Sequence, residues 1–408
     1  MRTTTGSLLL AAGAVASAQS SYGSSDSSSP YPPFSGNAFE KLTISAQGIN
    51  ASFIPYGARL TDLYVNDKNG QAQDVAVGYD EGSQYLIDSE TNHTFFGAVV
   101  GRYANRIKNG TFTIDGETSH IPTNEHGGAN TLHGGDVGYD QRNWTVVSHT
   151  NNSITFSFYD DALEGFPGSV LNVGTFSVND EQEFVSRLVS IPIDEATPIM
   201  LSHHIYWNIG AFIDDDAITI LNDTLQLPYA DRYIQTDGIL VPNGRIGVTK
   251  GTGLDFQKPT IIGDNIEKTN GSDFCGTGCV GIDNAFINDR SPYAGQYDPN
   301  FNVLHTYSPS SGIQLDVSTN MNGLQIYTCV GQNGTIPVKA SQNHIEGQTT
   351  FVEKFGCIVI ETQDWIDGIN NPQWGRDQYQ VFTPTTEPAV NMAKFKFSVP
   401  AASKLTQQ

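Results

Sequence analysis

The sequence predicts an all-β protein built as one large antiparallel domain of packed sheets. Apolar and polar residues alternate over short stretches such as residues 153–158 (SITFSF) and 393–399 (AKFKFSV), and this period of two is typical of half-buried strands. The 408 residues include 41 glycines and 19 prolines, which suits a chain with many tight turns. No stretch keeps a helical period between recognisable start and stop signals.

Two further segments fit the same architecture. Residues 111–115 (TFTID) alternate and follow Asn109-Gly110, a dipeptide that favours a two-residue hairpin turn. Residues 358–360 form an apolar run that predicts a buried strand, and Glu361 ends this run. Burying a carboxylate is costly unless it is paired or its function uses the cost. Glu361 is therefore a candidate functional residue.

The strongly negative net charge disfavours anionic molecules as binding partners. Asp and Glu total 43 against 21 Lys and Arg, so the formal net charge is -22 at pH 7. Such a chain repels phosphate, which disfavours nucleic acids, anionic membrane surfaces and phosphorylated sugars as partners. A neutral small molecule fits better. Because the composition is uniform after residue 39 and shows no repeat, we expect one domain over residues 37–403.

The N-terminus has the features of an export signal. Arg2 precedes a short apolar stretch, and residues 16–18 (ASA) have the small-x-small form that signal peptidase accepts. We expect a signal peptide over residues 1–18 with cleavage before Gln19. The apolar stretch is too short to span a bilayer, so the mature protein is expected to be secreted and soluble. Residues 19–36, rich in Ser and Pro, predict a linker or frayed tail.

Cysteines and glycosylation sequons agree with export. Four cysteines can pair in three ways, and we expect Cys275–Cys279 and Cys329–Cys357 because only a flexible Gly-Thr-Gly separates the first two. A four-cysteine metal site would need closer spacing around the second pair. Each Asn-x-Ser/Thr sequon could carry an N-glycan in a host that glycosylates. The eight sequons lie at Asn50, Asn92, Asn109, Asn143, Asn151, Asn222, Asn270 and Asn333.

Four segments cluster polar and charged groups where a plain β-sandwich would have none. They read GAVVGRYANRI (97–107), NTLHGG (130–135), LSHHIYWN (201–208) and CIVIETQ (357–363). Together they offer histidines, two arginines and a carboxylate at the end of a predicted buried strand, which are side chains that move protons and hold polar substrates.

These segments resemble those of the aldose 1-epimerases, also called galactose mutarotases. That family carries a GR-x-ANRI segment, an LHGG segment, an NHSYFN-like segment and an ETQ segment in this order. Weaker likenesses accompany them, and the ordered set spans roughly residues 40–400. The weaker segments read ADRY (230–233), VPNG (241–244), GLDF (253–256), GIDN (281–284), LQIYT (324–328) and DGIN (367–370).

The resemblance implies a β-sandwich of the galactose mutarotase-like type, with an open polar sugar cleft and neither cofactor nor metal. It also implies exchange of the α and β anomers of free aldoses such as glucose and galactose. Carried over position by position, Glu361 would be the general base and His204 the general acid, and Tyr206 would line the site. The residues that would hold and polarise the sugar are Asn105, Arg106, His133, Asp283 and Gln325.

This chemistry explains the residue types. Ring opening needs a base for the proton of the C1 hydroxyl and an acid for the ring oxygen O5, and closure reverses the two roles. A carboxylate is ionised near neutral pH, and a histidine holds a proton yet releases it. Asp283 and Arg106 offer hydroxyl contacts of opposite polarity. The sequence contains no HExxH motif and no clustered Cys/His ligands of the kind that bind a metal.

Three departures from the family pattern flank the candidate acid. His203 stands where the family usually has Asn, Ile205 where Ser is common, and Trp207 where Phe is typical. They could change the pKa of His204 or the shape of the pocket, so they leave the preferred sugar open. Positions interpreted as structural or superficial are His93, Arg102, His126 and His203.

Three other functions compete with an epimerase. A sugar-binding protein on the same fold would need neither an acid nor a base, yet Glu361 and His204 are both present. An epimerase for hexose 6-phosphates is disfavoured by the net charge of -22. A glycoside hydrolase or lyase would need two carboxylates flanking the bond, whereas these segments offer a Glu–His pair.

Overall fold

A computed structural model describes residues 36–290, 301–344, 347 and 349–400. The predicted signal peptide over residues 1–18 lies outside these ranges, and so does the Ser/Pro-rich segment apart from Gly36. The boundaries predicted for the signal peptide, the linker and the domain stay predictions.

The largest layer is a nine-stranded antiparallel sheet. Strands are numbered along the chain from β1 to β27, and helices from α1 to α3. In spatial order this sheet contains β10 (Thr145–His149), β11 (Ser153–Asp161), β12 (Ser169–Val178), β13 (Glu183–Pro192), β27 (Ala389–Ser398), β23 (Gln314–Thr319), β22 (Asn302–Tyr307), β17 (Thr224–Gln226) and β20 (Thr260–Ile261).

A six-stranded antiparallel sheet forms the second layer. In spatial order it contains β16 (Tyr206–Trp207), β25 (Ile358–Gln363), β24 (Gly323–Tyr327), β21 (Asp283–Ile287), β18 (Arg232–Thr236) and β19 (Pro242–Val248). Its central strands are rich in β-branched and aromatic residues, which favour pleated and buried backbone.

Smaller sheets and helices complete the described chain. A four-stranded sheet contains β1 (Leu42–Ala46), β2 (Ile49–Ile54), β3 (Arg59–Asn66) and β4 (Ala72–Asp74). Two-stranded ribbons pair β5 (Ala98–Val100) with β15 (Ser202–His204), β6 (Arg106–Lys108) with β9 (Asn130–Leu132), β7 (Thr111–Ile114) with β8 (Glu117–His120), and β14 (Thr197–Pro198) with β26 (Val381–Phe382). The α-helices are α1 (Gln84–Glu90), α2 (Ile262–Ile266) and α3 (Asp377–Gln380). Within the described ranges, no helix has the length and apolarity needed to cross a membrane.

The two large sheets face each other across one apolar core, which confirms the predicted β-sandwich. Phe286, Ile326 and Ile360 of the six-stranded sheet belong to the same buried cluster as Val317 and Phe395 of the nine-stranded sheet. Since successive side chains of a strand point to opposite faces, the alternate residues of β21, β24 and β25 face away from this core. That outward face is where the polar segments meet.

The strand predictions hold at all three alternating segments. Residues 153–158 lie in β11, residues 111–114 form β7, and residues 393–398 lie in β27. The hairpin predicted at Asn109-Gly110 is wrong. Both residues have the positive φ of a type I′ turn, but the strands on either side do not pair with each other, because β6 pairs with β9 while β7 pairs with β8.

Both predicted disulfides are present, as Cys275–Cys279 and Cys329–Cys357. The second is fully buried. It joins the residue two places after the end of β24 to the residue just before β25. The bond therefore ties together the ends of two neighbouring strands that carry Gln325 and Glu361.

Removing the two disulfides separately should destabilise the protein to different degrees. The Cys329–Cys357 bond closes a loop with a sequence separation of 28, against 4 for Cys275–Cys279. Loop-closure entropy then predicts a loss of about 3–4 kcal/mol for the C329A/C357A double variant and about 2 kcal/mol for C275A/C279A. Urea unfolding of both variants and the native protein would measure the difference. A larger loss for C275A/C279A would contradict the argument.

Candidate active site

Three strands of the six-stranded sheet supply one wall of a polar pocket. The antiparallel register sets Gln325 of β24 opposite Glu361 of β25, and Asp283 of β21 opposite Tyr327. Cross-strand partners share a face of a sheet, so these four side chains lie on the side away from the core. Tyr206 of β16 joins them because its strand pairs with β25 at Val359.

Two ribbons supply the other side chains of the site. His204 is the last residue of β15 and pairs with Ala98 of β5. Arg106 begins β6 and pairs with Leu132 of β9, so Asn105 and His133 flank this ribbon at one end. Segments that are far apart in the sequence are thereby brought to one place.

A glycine lets the GRYANRI and LHGG segments touch. Gly134 has φ +96°, and a Cβ atom there would lie 2.0 Å from the carbonyl oxygen of Gly101. A side chain at this position would therefore push the two segments apart. The glycine that follows His133 is needed so that its imidazole reaches the pocket.

Glu361 and His204 form the centre of the site. Oε1 of Glu361 lies 3.5 Å from Nε2 of His204, and the side chains are only 3% and 6% exposed. Burial raises the pKa of Glu361 to about 8, with a smaller upward contribution from the charge of Asp283, while Arg106 lowers it. Burial likewise lowers the pKa of His204 to about 3. Both shifts have one cause, since a dry pocket disfavours each charged form.

The other polar atom of each of these two side chains has no hydrogen-bond partner among the described residues. Oε2 of Glu361 and Nδ1 of His204 are buried and have no hydrogen-bond partner in the described part of the chain, and the same holds for Oε1 of Gln325. Buried polar atoms nearly always have partners. Three open atoms in one pocket indicate a site that is completed by a polar ligand.

His133 is held in one tautomer by Asn105. The backbone amide of Asn105 donates to Nδ1 of His133 at 3.1 Å, and the amide of His133 donates to the carbonyl of Asn105 at 3.0 Å. A backbone amide can only donate, so Nδ1 of the neutral ring is unprotonated and Nε2 carries the hydrogen. Burial, together with the nearby His204 and Arg106, holds the pKa of His133 well below its usual value. The ring is thus a neutral donor through Nε2.

Arg106 lies among carboxylates. It binds Glu125 through Nε at 2.9 Å and Nη2 at 2.7 Å, whereas Asp283 is 3.9 Å from Nη2. Burial disfavours the guanidinium, but Asp283 and Glu125 raise its pKa and keep it charged. Burial also raises the pKa of Asp283, although Arg106 and the amide of Gln325, which donates to it at 2.5 Å, act against this.

Aromatic rings enclose the imidazoles. The ring of Phe95 lies 4.6 Å from that of His133 and 5.5 Å from that of His204, centroid to centroid. Tyr206 lies 5.1 Å from His204 and packs against Phe96. Such walls are typical of sites that bind small molecules in a fixed orientation.

The pocket has donor atoms that resemble a metal site, but their protonation does not suit one. His133, His204 and Glu361 offer ligand atoms within 4.8 Å of one another. A metal needs a free lone pair on each imidazole. In His133, Nδ1 already accepts the amide hydrogen of Asn105 and Nε2 carries the proton. Binding a cation would require loss of that hydrogen bond or of that proton.

Three of the positions interpreted as structural or superficial, Arg102, His126 and His203, lie outside the polar pocket. Arg102 is buried and pairs with Asp160 at 2.6 Å. His203 shares hydrogen bonds with Ser186 and with the carbonyl of Gly97. His126 is 38% exposed beside Glu125.

Trp207 is fully buried against Phe395 and Phe397 of the core, so this departure from the family pattern does not shape the pocket. The side chain of His203 is likewise engaged elsewhere, as is evident from its hydrogen bonds. The fourth such position, His93, packs its ring 4.4 Å from that of Phe95 and binds Asp140 at 3.0 Å. It supports the aromatic wall of the site.

The structure thus brings together all eight residues predicted for the site, and it adds two that the sequence did not indicate. Glu125 lies in a loop whose composition gives no sign of function. Phe95 lies two residues before the GAVVGRYANRI segment, and its apolar side chain resembles that of any core residue. Only their three-dimensional contacts with Arg106, His133 and His204 reveal them.

Several known proteins are similar to this chain in sequence. Residues 40–382 match the family model described as aldose 1-epimerase. A probable aldose 1-epimerase of Arthroderma benhamiae is 48% identical over 390 residues, covering 89% of this chain and 87% of that protein. The galactose mutarotase of Rattus norvegicus is 32% identical over 349 residues, covering 84% of this chain and 90% of that protein.

A solved structure agrees with the sequence relatives. The GalM/aldose epimerase homologue from C. elegans superimposes with a TM-score of 0.73 at 25% identity, covering 89% of this chain and 100% of that one. Its fold is galactose mutarotase-like, as expected here from the sequence. With the family model matching most of its length, this chain belongs to the aldose 1-epimerase family.

Proposed function

We propose that the protein is an isomerase that interconverts the α and β anomers of free aldoses, such as glucose and galactose, by acid/base ring opening. One observation carries this proposal. The carboxylate of Glu361 lies 3.5 Å from the imidazole of His204, and each keeps a buried polar atom free for a ligand. A base and an acid thus lie side by side in a pocket whose polar atoms can bind a polar molecule.

The reaction needs one proton moved in each direction. Glu361 takes the proton of the C1 hydroxyl while the C1–O5 bond breaks, and His204 gives a proton to O5. The C1 carbonyl of the open chain then turns about the C1–C2 bond. Protonated Glu361 returns its proton to the carbonyl oxygen as neutral His204 takes the O5 proton, which closes the ring on the other face. The pair holds one proton before opening and one after it, so no co-reactant is required.

Burial tunes both groups for these transfers. A raised pKa makes Glu361 a stronger base, and a lowered pKa makes His204 a stronger acid. The dry pocket therefore favours the protonated carboxyl and neutral imidazole that belong to the open-chain intermediate. Hydroxyls of the bound sugar supply hydrogen bonds that the empty pocket lacks, and these stabilise the charged pair needed at the start.

The other predicted residues fit a neutral polyol. Arg106 and the Nε2–H of His133 donate, while Asp283 and Oε1 of Gln325 accept, so hydroxyls find partners of both polarities. Asn105 sets the tautomer of His133 and accepts from the backbone amide of Arg106 at 3.0 Å. A phosphorylated sugar fits poorly, because the charge of Arg106 is already matched by Glu125 and Asp283.

We also propose that the protein is secreted and N-glycosylated. The N-terminal sequence supports export, and so do two disulfide bonds, which persist in oxidising compartments. Each asparagine of the eight sequons is exposed, whereas asparagines such as Asn105, Asn172 and Asn265 are buried. Surface asparagines in sequons are accessible to a glycosyltransferase.

Glu361→Gln should abolish most of the activity without removing the pocket. Glutamine keeps the shape but cannot accept a proton, so kcat for mutarotation of freshly dissolved α-D-glucose and α-D-galactose should fall by about 10²–10⁴-fold. Polarimetry measures this, with Glu183→Gln as the control for the same chemical change on the nine-stranded sheet. A variant as fast as the native protein would refute the assignment. A native protein that binds aldoses but never exceeds the spontaneous rate would indicate a sugar-binding protein instead.

The pH profile should show when the pair loses its proton. Between the pKa of His204, about 3, and that of Glu361, about 8, the pair carries one proton, which is the number ring opening needs. Above about pH 8 this proton is lost and no acid remains, so kcat/KM should decline. Polarimetry at a series of pH values, with the spontaneous rate subtracted at each, would test this. A corrected rate that keeps rising beyond pH 9 would contradict it.

Expression in a glycosylating host should give a protein with sugar attached. The mature chain should begin at Gln19 and should lose mass on treatment with an N-glycan amidase, with converted aspartates at sequon positions. Peptide mass spectrometry measures both, and expression in a host without N-glycosylation provides the control. A full-length intracellular chain without glycans in the first host would contradict export.

A further inference from the structure

We propose that Glu125 is a positioning residue for this reaction, which holds the guanidinium of Arg106 apart from Asp283 so that both stay free to bind sugar hydroxyls. The inference rests on the proposed function. Glu125 lies in none of the segments that point to the activity, and its role follows only from its contacts.

The contacts of Arg106 are unequal. Both oxygens of Glu125 accept from Nε, at 2.9 and 3.2 Å, and Oε1 also accepts from Nη2 at 2.7 Å. Nη1 donates to Oδ1 of Asn105 at 3.3 Å. Oδ2 of Asp283 stays 3.9 Å from Nη2, beyond hydrogen-bond distance. Paired hydrogen bonds between arginine and a carboxylate fix the plane of the guanidinium, so Glu125 sets where its remaining N–H groups point.

The backbone holds Glu125 in place for this role. Its carbonyl accepts from the amides of Gly128 and Ala129 at 3.0 and 2.9 Å, and its amide donates to the carbonyl of Asn130 at 3.2 Å. These bonds close a tight turn that leads directly into β9, the strand paired with the strand of Arg106. The turn therefore fixes the position of the Glu125 carboxylate relative to the strand of Arg106.

Without the charge of Glu125, electrostatic attraction favours a direct ion pair between Arg106 and Asp283. Arg106 is buried, and a buried cation seeks the nearest anion. Asp283 is that anion, and a direct pair would use the carboxylate oxygen and the N–H that the sugar needs. Gln325 would hold the closed pair in place, because its amide already fixes the other oxygen of Asp283.

The same change would also act on the general base. The titratable groups around Glu361 are Arg106, which lowers its pKa, Asp283, which raises it, and the adjacent neutral His204. Glu125 partly offsets the field of Arg106, and His126 lies 3.5 Å from Glu125 at the rim. Removing one negative charge from this group leaves more positive potential at Glu361, which favours its ionised form.

Glu125→Gln should therefore raise KM for galactose and glucose by about 10-fold, with kcat changed by less than about 3-fold. It should also move the alkaline limb of kcat/KM to lower pH. Glu125→Asp keeps the charge, so the limb should stay at its native position and KM should rise less. Glu183→Gln provides the matched control, because Glu183 is 16% exposed and paired with Lys394, against 15% for Glu125. It should change neither parameter.

The outcomes separate this inference from the proposed function. If the native protein does not speed mutarotation, the function itself fails. If the native protein is active and Glu125→Gln leaves both KM and the alkaline limb unchanged, the positioning role is wrong. A loss of thermal stability with unchanged kinetics would also overturn it, since that is the result of a purely structural ion pair. If Glu125→Gln does not fold, Glu125→Asp decides, and unchanged KM in that variant refutes the proposal.

Discussion

The chemistry of this protein depends on a carboxyl group buried beside an imidazole, Glu361 next to His204. Raising the pKa of Glu361 from 4.5 to about 8 means that its ionised form costs roughly 5 kcal/mol more in the empty pocket than in water. That cost is comparable to the whole stability of a typical domain. It is tolerated because the group can hold its proton while the pocket is empty, and because the opposite face of the same strand belongs to the apolar core.

The six-stranded sheet is suited to this task because a strand has two independent faces. Ile358 and Ile360 pack toward the core, while Val359 and Glu361 lie on the opposite face, where Glu361 enters the pocket and Val359 belongs to a second buried cluster. Pairing with β24 sets Gln325 directly across from Glu361, and a shift of one residue would turn every one of these side chains to the wrong side. The Cys329–Cys357 bond joins the chain just after β24 to the chain just before β25, and it reinforces this register.

Electrostatic balance within the pocket is independent of the charge of the whole chain. The net charge of -22 repels anionic ligands at a distance, yet the pocket itself carries Arg106 with Glu125 and Asp283 around it. A neutral sugar crosses the outer field without penalty and meets donors and acceptors in comparable number. The surface charge and the ion pairs of Arg106 both support the proposed preference for neutral over phosphorylated sugars.

The sequence by itself determined the fold class, and it predicted the disulfide pairs and eight residues of the site. Alternation of period two specifies strands because it matches the pleat, and the ordered polar segments identify Glu361, His204 and their companions. It did not determine which strands pair, since pairing depends on contacts between distant segments, and Asn109-Gly110 accordingly turns the chain without forming the expected hairpin. The tertiary structure alone decided the tautomer of His133, which requires the amide of Asn105 at 3.1 Å. It also decided the roles of Glu125 and Phe95. In the sequence, Glu125 resembles an exposed loop residue and Phe95 an ordinary core residue. Neither pattern indicates which side chains they contact in the folded protein.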